Sequence, residues 1–301
     1  MKSRILLSAA ISALVLASCD KNEITSLDEL PDPSGRIAVQ FTGTSFDVSP
    51  ASTRTDNPWT NPGIIGIYAL AETTTDIMDD YANVGYSYNS SEKVFSPDDK
   101  TIYFPVDGSK RRFAAYYPYK ELTGTTYEID LTEQPSLDDQ ASFELLWTGV
   151  TGAYNKEQPK VALNFDHQYA KITVKVQNGT GIDETDLKNI TVAMTGMHLK
   201  ADFDVVTGVM SPTDNPGDLT FWRNANGSAQ HALVMPTAAD KSRTMDFTLG
   251  GDTFRWAIGD KKFDAGKTYD YTVTVNRTPL GFTATVTGWE VGDSDDSGVA
   301  E

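Results

Sequence analysis

The sequence predicts an all-β protein built from antiparallel sandwiches, and three observations carry that expectation. From Ile37 onward apolar and polar residues alternate with a period of two. The alternating runs are short and bounded by Gly, Asn, Asp and Pro. Stretches with helical spacing are few. Short strands with no helices between them pair antiparallel, because parallel neighbours need a long crossover, usually helical.

The first eighteen residues stand outside the pattern. Lys2 and Arg4 precede an apolar run from Ile5 to Val15, and Leu16-Ala17-Ser18-Cys19 supplies small residues before a cysteine. This is the form of a bacterial lipoprotein signal peptide, spanning 1–18, and the run is too short to cross a bilayer. Cys19 is the only cysteine of the chain, so no intramolecular disulfide can form. Lipidation gives the lone thiol of an exported protein a role. Each buried methylene of an attached chain adds about 0.8 kcal/mol of membrane affinity, and two or more chains hold a protein stably. Residues 19–36 are acidic, carry two prolines and lack aromatics, as expected of a flexible tether between lipid and fold.

Predicted strands then follow at 37–42, 63–70, 101–104, 111–117, 126–131, 143–147 and 160–165. A boundary is placed at 166–169, dividing the chain into an N-terminal sandwich domain, 37–166, and a C-terminal one, 167–301. Beyond it Ile172, Val174 and Val176 face one way while Lys171, Thr173 and Lys175 face the other, giving one buried and one wet surface. Further strands are expected at 190–194, 219–223 and 230–235. Met245, Phe247 and Leu249 lead through Gly250-Gly251 to Phe254, Trp256 and Ile258, a hairpin whose glycines supply positive φ angles. Tyr269, Tyr271, Val273 and Val275 form another strand, and 282–289 the last. Residues 74–82 and 183–188 have room for a turn or two of helix, the second capped by Asp183 or Thr185. After Trp289 the tail is acidic.

Composition excludes several functions. Removing residues 1–18 takes Lys2 and Arg4 away and moves the net charge from −17 to −19, which argues against nucleic acid and anionic lipid surfaces as partners. His167, His198 and His231 share no zinc-ligand spacing, and neither a nucleophile elbow nor a phosphate-binding glycine loop occurs. The acid pairs Asp79-Asp80, Asp98-Asp99 and Asp138-Asp139 are ordinary in so acidic a chain, and Asp293, Asp295, Ser297 and Gly298 make only half a calcium loop. No enzyme activity, cofactor or metal is expected. Tyr116-Tyr117-Pro118-Tyr119 is the one aromatic run suited to sugar binding, although tyrosines of sandwiches more often pack at sheet edges.

Four ordered stretches add a resemblance. Ser52-Thr53-Arg54-Thr55-Asp56-Asn57-Pro58-Trp59 leads into Ile64-Ile65-Gly66-Ile67-Tyr68. Phe113-Ala114-Ala115-Tyr116-Tyr117-Pro118-Tyr119, then Phe165 to Val174, then Lys267-Thr268-Tyr269-Asp270-Tyr271-Thr272-Val273 follow. Behind a lipobox, this set resembles the fimbrillin family of outer-membrane lipoproteins, subunits of type V pili, over nearly the whole mature chain. The resemblance implies two tandem transthyretin-like sandwiches and cleavage by an arginine-specific protease near the first strand. Removal of that strand opens a groove, which a strand from a neighbouring subunit fills. Arg54, in the polar stretch 49–62, fits that cleavage best. Arg36 is second, since a cut there leaves the first strand attached. Implied partners are other fimbrial subunits, a host or bacterial surface ligand, and the outer membrane through Cys19; Asp20 and Glu23 resemble acidic export tags. The only candidate donor strand is Phe282 to Trp289. A surface glycan-binding lipoprotein of a nutrient-uptake system is the alternative that lipid, sandwiches and aromatics also suit.

Overall fold

The computed structural model describes residues 35–43, 63–78, 80–89, 91–136, 143–278 and 281–290, the last segment as backbone only. The fold is all-β. One eight-stranded sheet runs in the order β8-β1-β4-β3-β2-β5-β7-β9. Its members are β1 Gln40–Gly43, β2 Ile64–Leu70, β3 Val84–Asn89, β4 Val94–Pro97, β5 Arg112–Tyr117, β7 Leu146–Val150, β8 Lys160–Leu163 and β9 Asp166–His167. Four strand spacings separate β1 from β5, about 19 Å in a flat sheet. The rings of Phe41 and Phe113 nevertheless meet edge-on with centroids 5.1 Å apart. The sheet is therefore folded over on itself, and Phe41, Ile65, Ile67, Tyr86, Phe113 and Val161 pack inside the fold.

Two further sheets form a sandwich. One is ordered β15-β16-β10-β19-β20, from Trp222–Arg223, Ala229–Val234, Ala170–Asn178, Thr268–Thr278 and Gly281–Glu290. The other is β14-β11-β17-β18, from Gly217–Thr220, Thr191–Met197, Thr244–Leu249 and Asp252–Ala257. The alternating residues anticipated from sequence line their shared core: Ile172, Val174 and Val176 against Met245, Phe247 and Leu249, with Tyr271 and Val273. The predicted hairpin pairs Leu249 with Asp252 across Gly250 and Gly251, whose φ angles are 59° and 94°. Both positive values match the tight turn that two glycines permit. Asp183 caps α1 (Glu184–Leu187) by accepting from the amides of Thr185 and Asp186, while Asp186 returns a bond from the Asp183 amide.

A three-stranded sheet, β13-β12-β6, joins segments from either side of residue 166: β6 is Thr126–Asp130, β12 Lys200–Asp204 and β13 Met210–Pro212. Its buried face carries Tyr127, Ile129, Ala201 and Phe203, which pack with Tyr68, Leu70, Ala114 and Tyr116 of β2 and β5. This explains why β2 and β5 are buried on both faces. Gly66 is required there, because a Cβ at this position would lie 2.3 Å from the Tyr116 ring.

Several expectations need correction. Residues 101–104 form no strand beyond one bridge, Ala38 to Tyr103, although Ile102 and Phe104 are buried in alternation. Residues 74–78 and 80–82 are not helical; Ile77 bridges Leu70 and Met78 N–H donates to Ala69, so the chain turns back along β2. The strand expected at 143–147 runs from Leu146 to Val150. The run 219–223 is two strands in two sheets, switching at buried Phe221. β3, β4, β9, β12 and β13 escaped prediction because they are short and carry Gly, Pro or charge.

Candidate functional site

The feature with functional chemistry in its backbone is β1 and its seat. On one side β1 runs antiparallel to β4, with Phe41 opposite Phe95; on the other it runs parallel to β8, with Phe41 opposite Val161. It is thus an interior strand, bonded on both edges. Val39 N–H donates to Ile102 O at 2.9 Å, Gln40 N–H to Pro159 O at 2.8 Å and Gly43 N–H to Lys93 O at 3.1 Å. Phe104 N–H donates to Ile37 O at 2.9 Å. Taking such a strand out leaves two rows of unpaired amides and carbonyls, each costly to bury without a partner.

The side chains complete the seat. Val39 and Phe41 point inward and are buried, while Ile37, two residues before Val39, is half-buried. The Phe41 ring stands edge-on to Tyr86 at 5.2 Å, as it does to Phe113. Burial pushes the Tyr86 phenol well above its ordinary pKa, so it stays neutral and accepts from Ile102 N–H at 2.8 Å. Gly43 ends the strand where a Cβ would approach the Phe95 ring to 2.9 Å. The partners in this seat, Tyr86, Phe95, Ile102, Phe113 and Val161, were not identified from sequence; the glycine closing an alternating run was the only local signal.

The histidines are held in hydrogen bonds: His167 Nδ1 to Glu144 Oε1 at 2.6 Å, His198 Nδ1 to Asp214 Oδ1 at 2.9 Å, and His231 Nε2 to Pro135 O at 3.0 Å. Tyr116 and Tyr117 are buried, and Tyr116 Oη donates to Asn83 Oδ1 at 2.7 Å. The aromatic run proposed for sugars is thus largely core. Among the described residues no three His, Cys, Asp or Glu side chains are grouped to hold a metal.

A sequence model of fimbrillin-like proteins matches residues 53–289. The chain belongs to the fimbrillin-like family. Over 309 residues it is 28% identical to a protein of Bacteroides uniformis named as a candidate fimbrium subunit, Fim1C, covering 97% of each chain. A crystal structure of a candidate cell adhesion protein from Bacteroides uniformis superposes with a TM-score of 0.67 at 28% identity, covering 85% of this chain and 98% of that one. A second such protein, from Bacteroides ovatus, gives 0.61 at 19% identity, covering 86% and 99%. At 19% the likeness concerns the fold alone.

In this fimbrillin-like chain the match begins after β1 and one residue before Arg54. Arg54 and Cys19 lie outside the described residues, as do the tail aspartates. Arg36 is described: its guanidinium stacks 4.3 Å over the Tyr103 ring, immediately before the pairing of β1 begins. The candidate donor segment 282–289 falls within β20, an edge strand paired antiparallel with β19 from Thr278–Gly281 to Tyr269–Glu290.

Proposed function

We propose that this protein is a non-enzymatic fimbrial subunit of the bacterial surface, structural or adhesive, whose uncleaved form is held in the outer membrane through lipid on Cys19 until the cut after Arg54 releases the body from it. Cleavage after Arg54 separates β1 from the body, and a strand from a neighbouring subunit takes its seat. The observation that carries this reading is the position of β1: an interior strand, bonded on both edges, whose Phe41 fills an aromatic pocket. A seat of that form offers an incoming strand backbone pairing for affinity and side-chain pockets for register. A cut after Arg36 leaves 37–43 joined to the body, so Arg54 is the productive site. We read the chain as two sandwich domains meeting at 166/167, held together by the shared β6–β12 sheet.

The test is digestion of the folded chain with an arginine-specific protease. Cleavage at Arg54, loss of the β1 segment and detergent-resistant ladders are expected, and Arg54→Ala is expected to stop all three. A folded chain that resists cutting at Arg54 overturns the strand-exchange mechanism. Palmitate labelling checks the anchor independently, with Cys19→Ala expected to abolish label and membrane retention.

A further inference from the structure

Under the proposed function, on which the following rests, a single cut after Arg54 does two things: it frees the body from its lipid and it opens the β1 seat. A cut after Arg36 does only the first. Residues 37–43 then stay in place, and the freed body is closed to an incoming strand. Arg36 must therefore be spared while Arg54 is taken, and its surroundings show how.

Arg36 lies just before the pairing of β1 begins, and its side chain is half-buried. The guanidinium carbon stands 4.3 Å over the centroid of the Tyr103 ring, within the range at which a ring face attracts a cation. A protease that selects arginine takes the side chain before the scissile bond into a specificity pocket. Ring and pocket thus compete for one group. The residues after the bond are held as well: Ile37 O accepts from Phe104 N–H at 2.9 Å, Val39 N–H donates to Ile102 O at 2.9 Å, and Ala38 bridges Tyr103 between them. The ring is carried on a fixed support, since Ile102 and Phe104 on either side are buried and Tyr103 N–H donates to Tyr81 Oη at 3.3 Å.

We propose that Tyr103 shields Arg36 from the arginine-specific protease, so that the chain leaves its lipid only by the cut that also opens the seat. Tyr103 is a specificity-determining residue of this processing and acts on the guanidinium, away from the scissile bond. Cleavage of a folded chain follows the population of its locally opened form when reclosing is fast. Loss of the ring contact raises that population about two- to thirtyfold, the factor by which such a contact favours the closed form.

The experiment digests the full chain carrying Arg54→Ala, so that Arg36 is read while β1 is seated, and times each product by mass spectrometry. Tyr103→Leu is expected to release a product beginning at Ile37 about two to thirty times faster than the parent. Tyr103→Phe keeps the ring face and is expected to be cut at the parent's rate. Arg255, in β18 and bonded to both oxygens of Asp246, is the internal reference: general loosening speeds cutting there too, whereas loss of the shield speeds Arg36 alone. Tyr103→Trp, with a stronger ring face, is expected to slow the cut and retains the test if Tyr103→Leu does not fold, as checked by circular dichroism. Equal rates at Arg36 in the parent and a folded Tyr103→Leu chain, Tyr103→Phe cut as fast as Tyr103→Leu, or Tyr103→Trp cut no slower than the parent overturns the shield. Cutting of the wild-type chain at Arg54 is measured in parallel; resistance there overturns the strand-exchange mechanism and leaves the rates at Arg36 to decide the shield.

Discussion

Phe41 is fully buried, and its ring meets those of Tyr86 and Phe113 edge-on. Phe41→Ala is expected to cost about 3–5 kcal/mol, the usual range for a buried phenylalanine, read as a shift of the urea midpoint with the slope unchanged. Asp130 gives a smaller, pH-dependent contribution. Thr132 and Lys200 lower its pKa from the ordinary 3.8 to about 2, Thr132 being the larger cause. A carboxyl with a depressed folded pKa stabilises the fold above its unfolded pKa and loses that contribution as pH falls through the folded value. The loss is thus expected between about pH 4 and pH 2, and Asp130→Asn is expected to remove this part of the acid sensitivity. Both side chains of the Lys200 pair are about half exposed, so the effect is at most about 1 kcal/mol. That Phe41 faces inward was legible from alternation; that Tyr86 and Phe113 receive it was not, because contacts across a folded sheet leave no local trace.

At the scale of elements, β1 depends on backbone bonds as much as on its ring. Gln40→Pro removes the N–H donated to Pro159 O and leaves that carbonyl unpaired, at about 1–3 kcal/mol. The expected result is a chain with an intact body and an opened seat: higher binding of a hydrophobic dye with little change in far-UV circular dichroism. The Gly250-Gly251 hairpin is a second local device. Alanine at either glycine would sit at positive φ and is expected to cost about 1–2 kcal/mol, measurable by thermal unfolding. The hairpin and the capped helix α1 were readable because their signals lie within a few residues. β3 and β4 were not, since partners, and not propensity, make a four- to six-residue polar run into a strand.

For the whole molecule, the decisive element is the sheet that pairs β6 with β12. Its buried face and the outer faces of β2 and β5 share one cluster containing Tyr68, Tyr116, Tyr127, Phe203 and Leu233. Separate expression of 37–166 and 167–301 divides this cluster. Each half is then expected to bind a hydrophobic dye and to unfold at a lower temperature than the full chain, and mixing them is expected to reverse both changes. Halves as stable alone as together would show that the cluster contributes nothing. The chain passes from β9 at His167 to β10 at Ala170 in another sheet, and nothing in the sequence announced a third sheet shared by segments on either side of that step.

The sequence by itself determined the all-β class, the inward faces of most strands, the glycine hairpin and the fimbrillin resemblance, because alternation, turn chemistry and ordered motifs are properties of neighbouring residues. Only the tertiary structure decided that β1 is interior, that Tyr116 and Tyr117 are core, and that one strand of the first half completes a sheet of the second. These depend on pairing between residues as far apart as Phe41 and Val161, or Tyr127 and Phe203. Burial of apolar faces drives such pairing, and many partners satisfy it equally well until the whole chain is packed.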